Sequence, residues 1–374
     1  MRAILVDDEG LALHYLERQL TNIGGIEIAG TYRSAGEALR EVDRLNPDVA
    51  FLDIDMPEIS GIEAAELLYA RKPGIAVVFV TAYEHYAVKA FELSALDYVL
   101  KPINEQRLSR TLERLKSRAE VRAPAREPEP VVATVGCFRR LTIEYGQSEP
   151  IAWRTARAQE LFAYLTYKRN APVRKDVLLE LLWPDVDYKK AYTQLYTTVY
   201  QIRKTLEAAG LTIRLNNSGN DYFLDLGINR CDVQEWENAR PKLPPMSPET
   251  ADKHLEWLQA YAGDFLAEHE YLWAENERKR LRDLWYKHAL ELGDMWTRCG
   301  FRKEALELYE YMEQTYPYAE EVYFLTMKLH AENRELGSAK AKYDQLCVML
   351  REEYSLEPSP AVRQWAQTLF RQTQ

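Results

Sequence analysis

The sequence contains no long apolar run and no paired cysteines, which excludes two classes of protein. None of its apolar stretches approaches the about 20 residues that a membrane-spanning helix requires, so we expect no membrane partner. The four cysteines lie far apart and form no CxxC motif, so the sequence predicts neither a disulfide framework nor a zinc site. The first apolar run ends at Asp7 and Asp8, so we expect no secretory signal and a cytoplasmic location.

Positively charged residues are fewer than negatively charged ones. The 374 residues carry 48 Lys and Arg against 58 Asp and Glu, a formal net charge of −10, which argues against a protein that coats nucleic acid through bulk electrostatics. Residues 1–119 contribute −5, residues 120–149 contribute −1 and residues 230–374 contribute −7. Residues 150–229 alone are basic, at +3, so any contact with nucleic acid is expected there.

Length and composition fit a multidomain globular protein. The chain is too long for one ordinary core, and hydrophobic residues make up 47% of it, as is typical of packed domains. A stretch rich in proline and charged residues at 120–130 is typical of a semi-extended linker. We therefore predict domains at residues 1–119, 131–229 and 230–374.

Residues 1–119 alternate short apolar runs with amphipathic, helix-like stretches. The apolar runs are Ala3–Val6, Ile26–Ala29, Val49–Leu52, Ile75–Val80 and Tyr98–Leu100. Buried strands joined by helices form a parallel sheet with helices on both faces, so this segment is predicted to be a doubly wound α/β domain with a five-stranded parallel sheet. Ligands of such sheets bind at the carboxyl ends of the strands.

Polar residues follow four of these runs. They are Asp7 and Asp8 after the first run, Asp53 and Asp55 after the third, Thr81 after the fourth and Lys101 after the fifth. Crowded carboxylates raise one another's pKa unless a cation joins them, and the hard, oxygen-preferring Mg²⁺ fits such a set. The ammonium of Lys101 and the hydroxyl of Thr81 would then supply donors for a phosphoryl group.

This set contains no histidine or cysteine base and no glycine-rich phosphate loop, so it does not resemble a hydrolase or an ATP site. A carboxylate that accepts a phosphoryl group fits it better. An enzyme that acts on phosphate esters would not explain the two downstream domains, so we expect that this protein is not an enzyme. A single aspartate could merely cap a helix, but that alternative does not account for four aspartates, a threonine and a lysine at one edge of a sheet.

The front segment resembles the receiver domains of two-component response regulators over the whole of residues 1–119. The motifs that carry the resemblance are LVDDEG (5–10), FLDIDMPEISG (51–61), FVTAY (79–83) and DYVLKPI (97–103). The resemblance implies that Asp53 accepts the phosphoryl group. It also implies that Asp7, Asp8, Asp53 and the backbone carbonyl of Asp55 bind Mg²⁺.

Further roles follow from the same resemblance. Thr81 and Tyr98 are implied to be a switch pair, and Lys101 to bind the phosphoryl group and to precede a cis proline, Pro102. A degenerate receiver, folded but never phosphorylated, is an alternative that is disfavoured because no expected position is missing.

Residues 131–229 combine two strand-like stretches, three helical patterns and a terminal hairpin. The strands are expected at 131–135 and 141–145, the helices at 156–169, 176–182 and 188–209, and the hairpin at 211–226. Asp187 is suited to cap the long helix and Gly210 to end it. Three helices followed by a hairpin predict a winged helix-turn-helix.

The long helix has one apolar and one polar side. Its buried face is predicted to comprise Tyr192, Leu195, Val199, Ile202 and Leu206, which recur at spacings of three and four. Thr and Gln hydrogen-bond base edges, and Lys binds phosphates. The candidate DNA contacts are Lys190, Thr193, Thr197, Tyr200, Gln201, Arg203 and Lys204, with Asn217 and Asn220 in the hairpin turn. Two alternatives stay open: an ordinary solvated polar face, and an Arg203 that braces the fold.

The middle segment resembles the winged-helix domain of OmpR-type response regulators, and more closely the version in the antibiotic-regulatory (SARP) activators. The stretches RKDVLLELLWPD (174–185) and QIRKTL (201–206) carry this resemblance together with the hairpin. It implies promoter DNA as a partner. The family often has arginines where this chain has Thr197, Tyr200 and Gln201, and a serine where it has Arg174. These departures imply weak binding by a monomer, so we expect a homodimer on paired sites.

Residues 249–374 consist of successive helical patterns with a period of 34 residues. The period relates Met295 to Leu329, Ala305 to Ala339 and Tyr309 to Tyr343. This spacing is typical of tetratricopeptide repeats, which bind partners and perform no chemistry. Stretches at 261–292 and 351–370 resemble the bacterial transcriptional activator domain (BTAD) of SARP proteins. An all-α helical-repeat domain that contacts RNA polymerase is therefore expected.

Taken together, these features predict a DNA-binding transcriptional response regulator of a two-component phosphorelay. A sensor histidine kinase would phosphorylate Asp53, after which Tyr98 turns inward as Thr81 moves. Surfaces at 83–93 and 104–118 would then dimerise or release the winged helix. The alternative is a phosphorylation-controlled regulator whose repeats bind a partner and whose middle domain reads no DNA, which the muted basicity of residues 150–229 favours.

Overall fold

The computed structural model describes residues 1–72, 74–82, 97–121, 132–146 and 151–371. Most of the predicted linker at 120–130 and the predicted surface at 83–93 lie outside the described residues. The chain forms two compact units, one of residues 1–135 and 142–230 and one of residues 136–141 and 231–374.

The predicted strands of the front segment form a single parallel sheet. They are β1 (Arg2–Val6), β2 (Glu27–Tyr32), β3 (Val49–Leu52), β4 (Ala76–Thr81) and β5 (Asp97–Leu100). The strand order is β2-β1-β3-β4-β5, which confirms the five-stranded parallel sheet predicted from the apolar runs. The order reverses beside β1, so the carboxyl ends of β1 and β3 border the crevice where such folds bind ligands.

Amphipathic helices connect these strands. The described ones are α1 (Gly10–Ile23), α2 (Ala35–Leu45), α3 (Gly61–Arg71) and α4 (Glu105–Val121). In α1 the residues at helical spacing, Leu13, Leu16 and Leu20, are buried against the sheet, as the sequence predicts. The hydroxyl of Ser60 caps α3 by accepting a hydrogen bond of 3.2 Å from the amide of Glu63.

The middle segment has short strands around three helices. The elements are β6 (Ala133–Gly136), β7 (Thr142–Tyr145), α5 (Ala156–Tyr167), β8 (Val173–Arg174), α6 (Lys175–Leu182), α7 (Tyr188–Ala208), β9 (Arg214–Ser218), β10 (Asp221–Asp225) and β11 (Arg230–Cys231). Strands β9 and β10 form the antiparallel hairpin expected at 211–226, and β8 pairs with β10.

Helix α7 begins and ends as its sequence predicts. The carboxylate of Asp187 accepts a hydrogen bond from the amide of Lys190 at 3.4 Å, and Gly210 follows the helix with a left-handed φ of 69°. The apolar residues Leu195, Val199, Ile202 and Leu206 are buried. Tyr192 is only partly buried, because it lies where the apolar face meets a surface cleft.

The described remainder of the chain is almost entirely helical. Its α-helices are α8 (Asp232–Ala239), α9 (Ala251–Gln259), α10 (Glu275–Cys299), α11 (Arg302–Thr315), α12 (Glu320–Glu332), α13 (Leu336–Tyr354) and α14 (Pro360–Arg371). Helices α10 to α14 pack each against the next in chain order. No helix in the described parts of the chain combines the length and apolarity that crossing a bilayer requires.

Tryptophans fill the core of this helical unit. Trp236 and Trp257 stack with ring centroids 4.3 Å apart, and each indole N–H donates to the other residue's backbone carbonyl. The indole of Trp285 is fully buried and donates to the carbonyl of Leu258 at 2.9 Å. The aromatics at these positions therefore serve core packing.

Two histidines are buried together in the same unit. His254 Nδ1 lies 3.0 Å from His288 Nε2, and the two rings stack. Burial lowers the pKa of His288 to about 4, assisted by repulsion from His254 and Arg240, and burial likewise lowers the pKa of His254. Both imidazoles are therefore neutral in the folded protein at neutral pH.

This pair predicts a pH-dependent stability of the helical unit. A histidine whose pKa is lowered by folding stabilises the folded state fully above its unfolded pKa of about 6.5. As the pH falls from there toward about 4, His288 alone should cost about 1.4 kcal/mol of unfolding free energy per pH unit. Denaturant melts of wild type and His288→Gln across this range measure the slope. Parallel slopes for the two proteins would contradict the assignment, and His330→Gln, which alters a partly buried histidine paired with Glu335, serves as the control.

Candidate functional site

The carboxylates predicted to form a metal site come together at one edge of the parallel sheet. Asp7 and Asp8 follow β1 and Asp53 follows β3, and these strands are neighbours in register, with Val6 opposite Leu52. The amide of Asp53 donates to the carbonyl of Val6 at 2.9 Å, which fixes one strand end against the other. Carboxylate oxygens of the three aspartates lie within 4.8 Å of one another, and Asp7 and Asp53 are buried.

Lys101 and Thr81 complete this cluster from the two neighbouring strands. Lys101 Nζ lies 2.7 Å from Asp7 Oδ2 and 3.7 Å from Asp53 Oδ1. Its backbone amide donates to the carbonyl of Thr81 at 2.8 Å, so β4 and β5 hold the two residues side by side. The Thr81 hydroxyl is fully buried, and it has no hydrogen-bond partner among the described residues.

The electrostatics of the cluster favour an added cation. Burial raises the pKa of Asp53; Lys101 opposes this rise and the negative charge of Asp7 adds to it. Burial also acts to lower the pKa of Lys101, but its hydrogen bond to Asp7 and the charge of Asp53 raise that pKa overall. Lys101 therefore pairs with only two of the three carboxylates, and Asp53 Oδ1 lacks a hydrogen-bond donor within the described chain. An all-oxygen, net-negative donor set of this kind fits Mg²⁺.

The remaining residues of the predicted receiver site lie at its rim. The side chain of Asp55 is exposed and does not belong to the group of three carboxylates whose oxygens lie within 4.8 Å of one another. Tyr98 on β5 is partly buried, and its carbonyl accepts a hydrogen bond of 2.8 Å from Arg107. The Lys101–Pro102 peptide bond is cis, as the resemblance implies.

Glycine is required where α3 starts beside Asp53. A Cβ at Gly61 would lie 1.9 Å from the carbonyl oxygen of Asp53, and the amide of Gly61 donates to the carbonyl of Ile54 at 2.9 Å. The backbone of Asp53 therefore packs directly on the first turn of α3.

The exposure predicted for the polar side of α7 is wrong for Thr197, Gln201 and the flanking Tyr200, and Arg203, for which a bracing role was left open, is buried as well. Thr197, Tyr200, Gln201 and Arg203 are only 6%, 2%, 3% and 7% exposed. Periodicity places a side chain opposite its own domain's core, but it cannot show that another element covers that side. Lys190 is exposed, Thr193 is partly buried and Lys204 is partly buried.

Helix α3 of the front segment covers Tyr200 and Arg203, whereas Gln201 lies 3.4 Å from the hydroxyl of Thr155 at the start of α5. Tyr196 Oη donates to Glu63 Oε1 at 2.8 Å, and Arg203 Nη1 lies 2.5 Å from Glu66 Oε1. The rings of Tyr200 and Tyr69 pack edge to face with centroids 5.4 Å apart. Arg203 Nε also donates to the carbonyl of Leu215 at 2.8 Å, so in this arrangement the arginine braces the fold, and a phosphate contact would require it to leave Glu66.

The two asparagines of the hairpin have different environments. Asn217 is partly buried and donates from Nδ2 to Glu66 Oε2 at 3.3 Å. Asn220 lies in the exposed turn between β9 and β10, and its carbonyl accepts from the amide of Lys175 at 2.9 Å. The structure therefore brings Asn217 to Glu66, which also binds Arg203, and leaves Asn220 on the surface.

Sequence reasoning missed two groups of residues. Glu63, Glu66 and Tyr69 recur every third residue on α3 and form the polar stripe that meets α7; a glutamate within a largely apolar helix was the available signal. Cys137 and Cys231 lie beside Asp232, with ligand atoms within 4.8 Å of one another, although the sequence separates them widely. The Asp232 carboxylate accepts hydrogen bonds from the backbone amides of Cys137, Phe138 and Val233.

Two family models match the chain, one at each end. Residues 3–113 match the response regulator receiver domain, and residues 231–370 match the bacterial transcriptional activator domain. A receiver and an activator domain are therefore present, as the sequence motifs predict.

Individual proteins resemble parts of the chain. Residues of this chain are 49% identical over 117 residues to the transcriptional regulatory protein BtsR of Salmonella typhi, covering 31% of this chain and 48% of that protein. They are 47% identical over 115 residues to an uncharacterized response regulatory protein of Vibrio cholerae serotype O1, with the same coverage. The chain thus spans about half the length of the curated relatives it matches.

A solved structure resembles a larger share of the chain. Mycobacterium tuberculosis EmbR, in complex with a low affinity phosphopeptide, aligns with 65% of this chain and 66% of its own at a TM-score of 0.50. The two sequences are 18% identical over this alignment, so the likeness shows a shared fold alone.

The raised pKa of Asp53 predicts how the receiver responds to Asp53→Asn. Because ionised Asp53 is less favourable in the folded than in the unfolded protein, the variant should melt at a higher temperature at pH 7 without metal. The difference should vanish as the pH falls below the unfolded pKa of about 3.9. Mg²⁺ at 100 times its dissociation constant should stabilise wild type by about 2.7 kcal/mol and the variant by less.

Thermal melts with and without Mg²⁺ make this measurement. Asp55→Asn is the matched control, because its exposed side chain lies outside the carboxylate cluster and should leave both melts near wild type. A lower melting temperature for metal-free Asp53→Asn would contradict the electrostatic description.

Proposed function

We propose that this protein is a DNA-binding transcriptional response regulator that is switched by phosphorylation of Asp53. The observation that carries the proposal is the buried cluster in which Lys101 reaches Asp7 at 2.7 Å and Asp53 at 3.7 Å. The division into a receiver at 1–119, a linker at 120–130, a DNA-binding domain at 131–229 and an activator domain at 230–374 belongs to the proposal.

Asp53 would act as the nucleophile in phosphoryl transfer. One of its carboxylate oxygens attacks phosphorus of the donor, the bond from phosphorus to the donor's leaving group breaks, and an acyl phosphate forms on Asp53. Asp7, Asp8, Asp53 and the carbonyl of Asp55 would hold Mg²⁺, which neutralises charge on the phosphoryl oxygens. A sensor histidine kinase is the proposed donor.

Two donors of the cluster suit the product. The ammonium of Lys101 already faces Asp53, and the Thr81 hydroxyl is buried at the same strand ends without a partner in the described chain. The added charge of about −1.5 to −2 would attract both groups. Movement of Thr81 would change the packing of Tyr98, which is only partly buried on the neighbouring strand.

The middle segment is proposed to be a winged helix-turn-helix. Three helices followed by an antiparallel hairpin, in the most basic quarter of the sequence, support this assignment. Helix α7 would enter the major groove, with Lys190, Thr193, Thr197, Tyr200, Gln201, Arg203 and Lys204 as candidate contacts and Asn217 and Asn220 in the wing. A homodimer on paired promoter sites, in contact with RNA polymerase through the activator domain, completes the proposal.

A second candidate is a phosphorylation-controlled regulator that acts through its helical repeats without reading DNA. The burial of Thr197, Gln201 and Arg203 favours it, because buried side chains cannot contact bases. The tetratricopeptide character of residues 249–374 remains a prediction on which this candidate also depends.

Phosphorylation is tested by incubating the full chain with Mg²⁺ and radiolabelled acetyl phosphate. Wild type should become labelled in a form that hydroxylamine removes, and Asp53→Asn should lose at least about 90% of the label because the proposed acceptor carboxylate beside Lys101 is gone. Asp55→Asn, which changes the nearby exposed carboxylate, should keep most of it. Equal labelling of Asp53→Asn and wild type would reject Asp53 as the acceptor.

DNA binding is tested by its salt dependence, with duplexes selected from a random pool by the phosphorylated protein. Phosphate contacts from Lys190, Arg203 and Lys204 should weaken binding roughly 40-fold per monomer between about 50 and about 200 mM salt. Lys190→Gln should reduce the logarithmic slope by about 1. Lys116→Gln, on the exposed surface of α4, is the control that should leave it unchanged. A flat salt profile would favour the second candidate.

A further inference from the structure

Two cysteines from distant parts of the sequence meet in the second unit. Cys137 directly follows β6 and Cys231 ends β11, and these two strands are neighbours in one sheet. Their sulfur atoms and a carboxylate oxygen of Asp232 lie within 4.8 Å of one another, and neither cysteine forms a disulfide in the structure. Neighbouring strands of a sheet are about 5 Å apart, which is within the separation that a disulfide bridges.

Asp232 holds the two cysteine segments together. Its carboxylate accepts hydrogen bonds from the amides of Cys137 at 2.8 Å, Phe138 at 3.1 Å and Val233 at 2.6 Å. One side chain thereby fixes the backbone on both sides of the sulfur pair. Joining the two sulfurs therefore requires little movement of the backbone.

The same hydrogen bonds disfavour a metal centre. Structural zinc sites take four ligands, most of them thiolates and imidazoles. In the part of the chain that the structure describes, this group contains three candidate residues, and the carboxylate of one already accepts several backbone amides. The chemistry left to the group is that of a dithiol.

The two thiols differ in their readiness to react. Cys231 precedes the first residue of α8, a position at which helix amides favour a thiolate. The hydrogen bond from the Cys137 thiol lowers the pKa of Cys231, and the amides of Val233 and Gln234 act in the same direction against burial. The hydrogen bond to Cys231 raises the pKa of Cys137, and burial adds to this rise. Because the thiolate is the nucleophile, Cys231 is suited to react first.

A surface cleft lies beside the sulfur pair. Phe138 and Asp232, each directly following one of the cysteines, line a cleft of about 920 Å³ together with Trp236. Cys137 is fully buried, whereas Cys231 is 4% exposed. Burial of this kind hinders a small, uncharged oxidant such as hydrogen peroxide less than it hinders a bulky alkylating reagent.

We propose that Cys137 and Cys231 form a reversible redox site that hydrogen peroxide converts into a disulfide. The Cys231 thiolate attacks one peroxide oxygen and the O–O bond breaks, which leaves a sulfenic acid and a hydroxide that takes up the proton lost by Cys231. The sulfur of Cys137 then attacks the sulfenic sulfur, the S–O bond breaks, and water leaves with the proton of Cys137. Two thiols are oxidised and one peroxide is reduced to two waters.

The disulfide would join the two places at which the chain enters the second unit. That unit comprises residues 136–141 and 231–374, so each cysteine lies at or next to an entry point. The bond closes a loop over residues 138–230, which include nearly all of the segment proposed to bind DNA. Closing a long loop restricts the unfolded chain, so oxidation should stabilise the fold. The inference depends neither on phosphorylation of Asp53 nor on DNA binding.

Peptide mapping of the full chain after peroxide treatment tests the proposal. Protein that has been reduced and freed of reductant is treated with a modest excess of hydrogen peroxide, unfolded in N-ethylmaleimide and digested without reductant. Peptides joined through Cys137 and Cys231 should appear, and free thiols should fall by about two from the four of the sequence, because one disulfide consumes two. Dithiothreitol should restore both thiols. Absence of this disulfide, or loss of thiols only at Cys299 and Cys347, would overturn the proposal.

Variants test the order of the two steps. In Cys137→Ala the sulfenic acid on Cys231 has no thiol to react with, so dimedone added during unfolding should label Cys231 at least about fivefold more than in wild type. In Cys231→Ala, dimedone should leave Cys137 unlabelled, and labelling of Cys137 instead would contradict the assigned order. Cys347→Ser, which removes a partly buried thiol outside the pair, is the control that should keep the disulfide. The mapping of wild type decides the existence of the site even where a variant fails to fold.

Thermal melts of reduced and oxidised wild type test whether the fold already presents the sulfurs to each other. The oxidised protein should melt about 5 °C higher or more, and Cys137→Ala should melt at the same temperature before and after peroxide. An equal or lower melting temperature for oxidised wild type would show that the fold has to distort to form the bond, which contradicts the proposal.

Zinc separates the redox site from a metal site. Equimolar Zn²⁺ added to the reduced protein before peroxide should leave formation of the disulfide unchanged. If Zn²⁺ blocks the disulfide and a chelator restores it, the pair is a metal site and the proposal is wrong.

Discussion

The receiver depends on a single electrostatic constraint, the crowding of three carboxylates, two of them close to one ammonium, at the edge of a parallel sheet. Asp7, Asp8 and Asp53 are fixed by the ends of β1 and β3, so they cannot move apart to relieve their repulsion. Lys101 neutralises part of the negative charge, but burial still raises the pKa of Asp53. A site of this kind gains stability from a cation and from a bound anion that reaches Lys101, which makes it suited to report phosphorylation.

A buried ion pair connects the receiver to the rest of the first unit. Glu66 and Arg203 are both buried, and they belong to segments that the sequence assigns to different domains. Buried ion pairs are poor sources of net stability but demand a defined geometry. The junction of α3 and α7 is thereby specific without being strong, and Gly61 places it within one turn of Asp53.

Local chemistry made much of this architecture predictable. Apolar runs of three to six residues predicted the strands because buried parallel strands have no polar face. The polar residues after those runs predicted the cluster because parallel strands end at one edge. Asp187 and Gly210 marked the ends of α7 for reasons confined to its own backbone. Such signals act over a few residues and can be read from one chain.

Contacts between distant segments could not be read in the same way. The periodicity of α7 separates its core side from its polar side, but Thr197, Tyr200, Gln201 and Arg203 are nevertheless buried by elements elsewhere in the sequence. Cys137 and Cys231 likewise meet only through tertiary structure. A helix face that is polar in sequence is available either to water, to DNA or to another domain, and periodicity alone does not distinguish them.

Hydrogen–deuterium exchange of the full chain, with and without Mg²⁺ and beryllofluoride as a phosphoryl mimic, tests the coupling most directly. The account predicts that occupancy at Asp53 slows exchange around Lys101 and speeds it in the segments of α3 and α7 that contact each other. Protection around Lys101 with unchanged exchange in α3 and α7 would contradict it, since the acidic cluster would then be filled without any effect on the helix proposed to contact DNA.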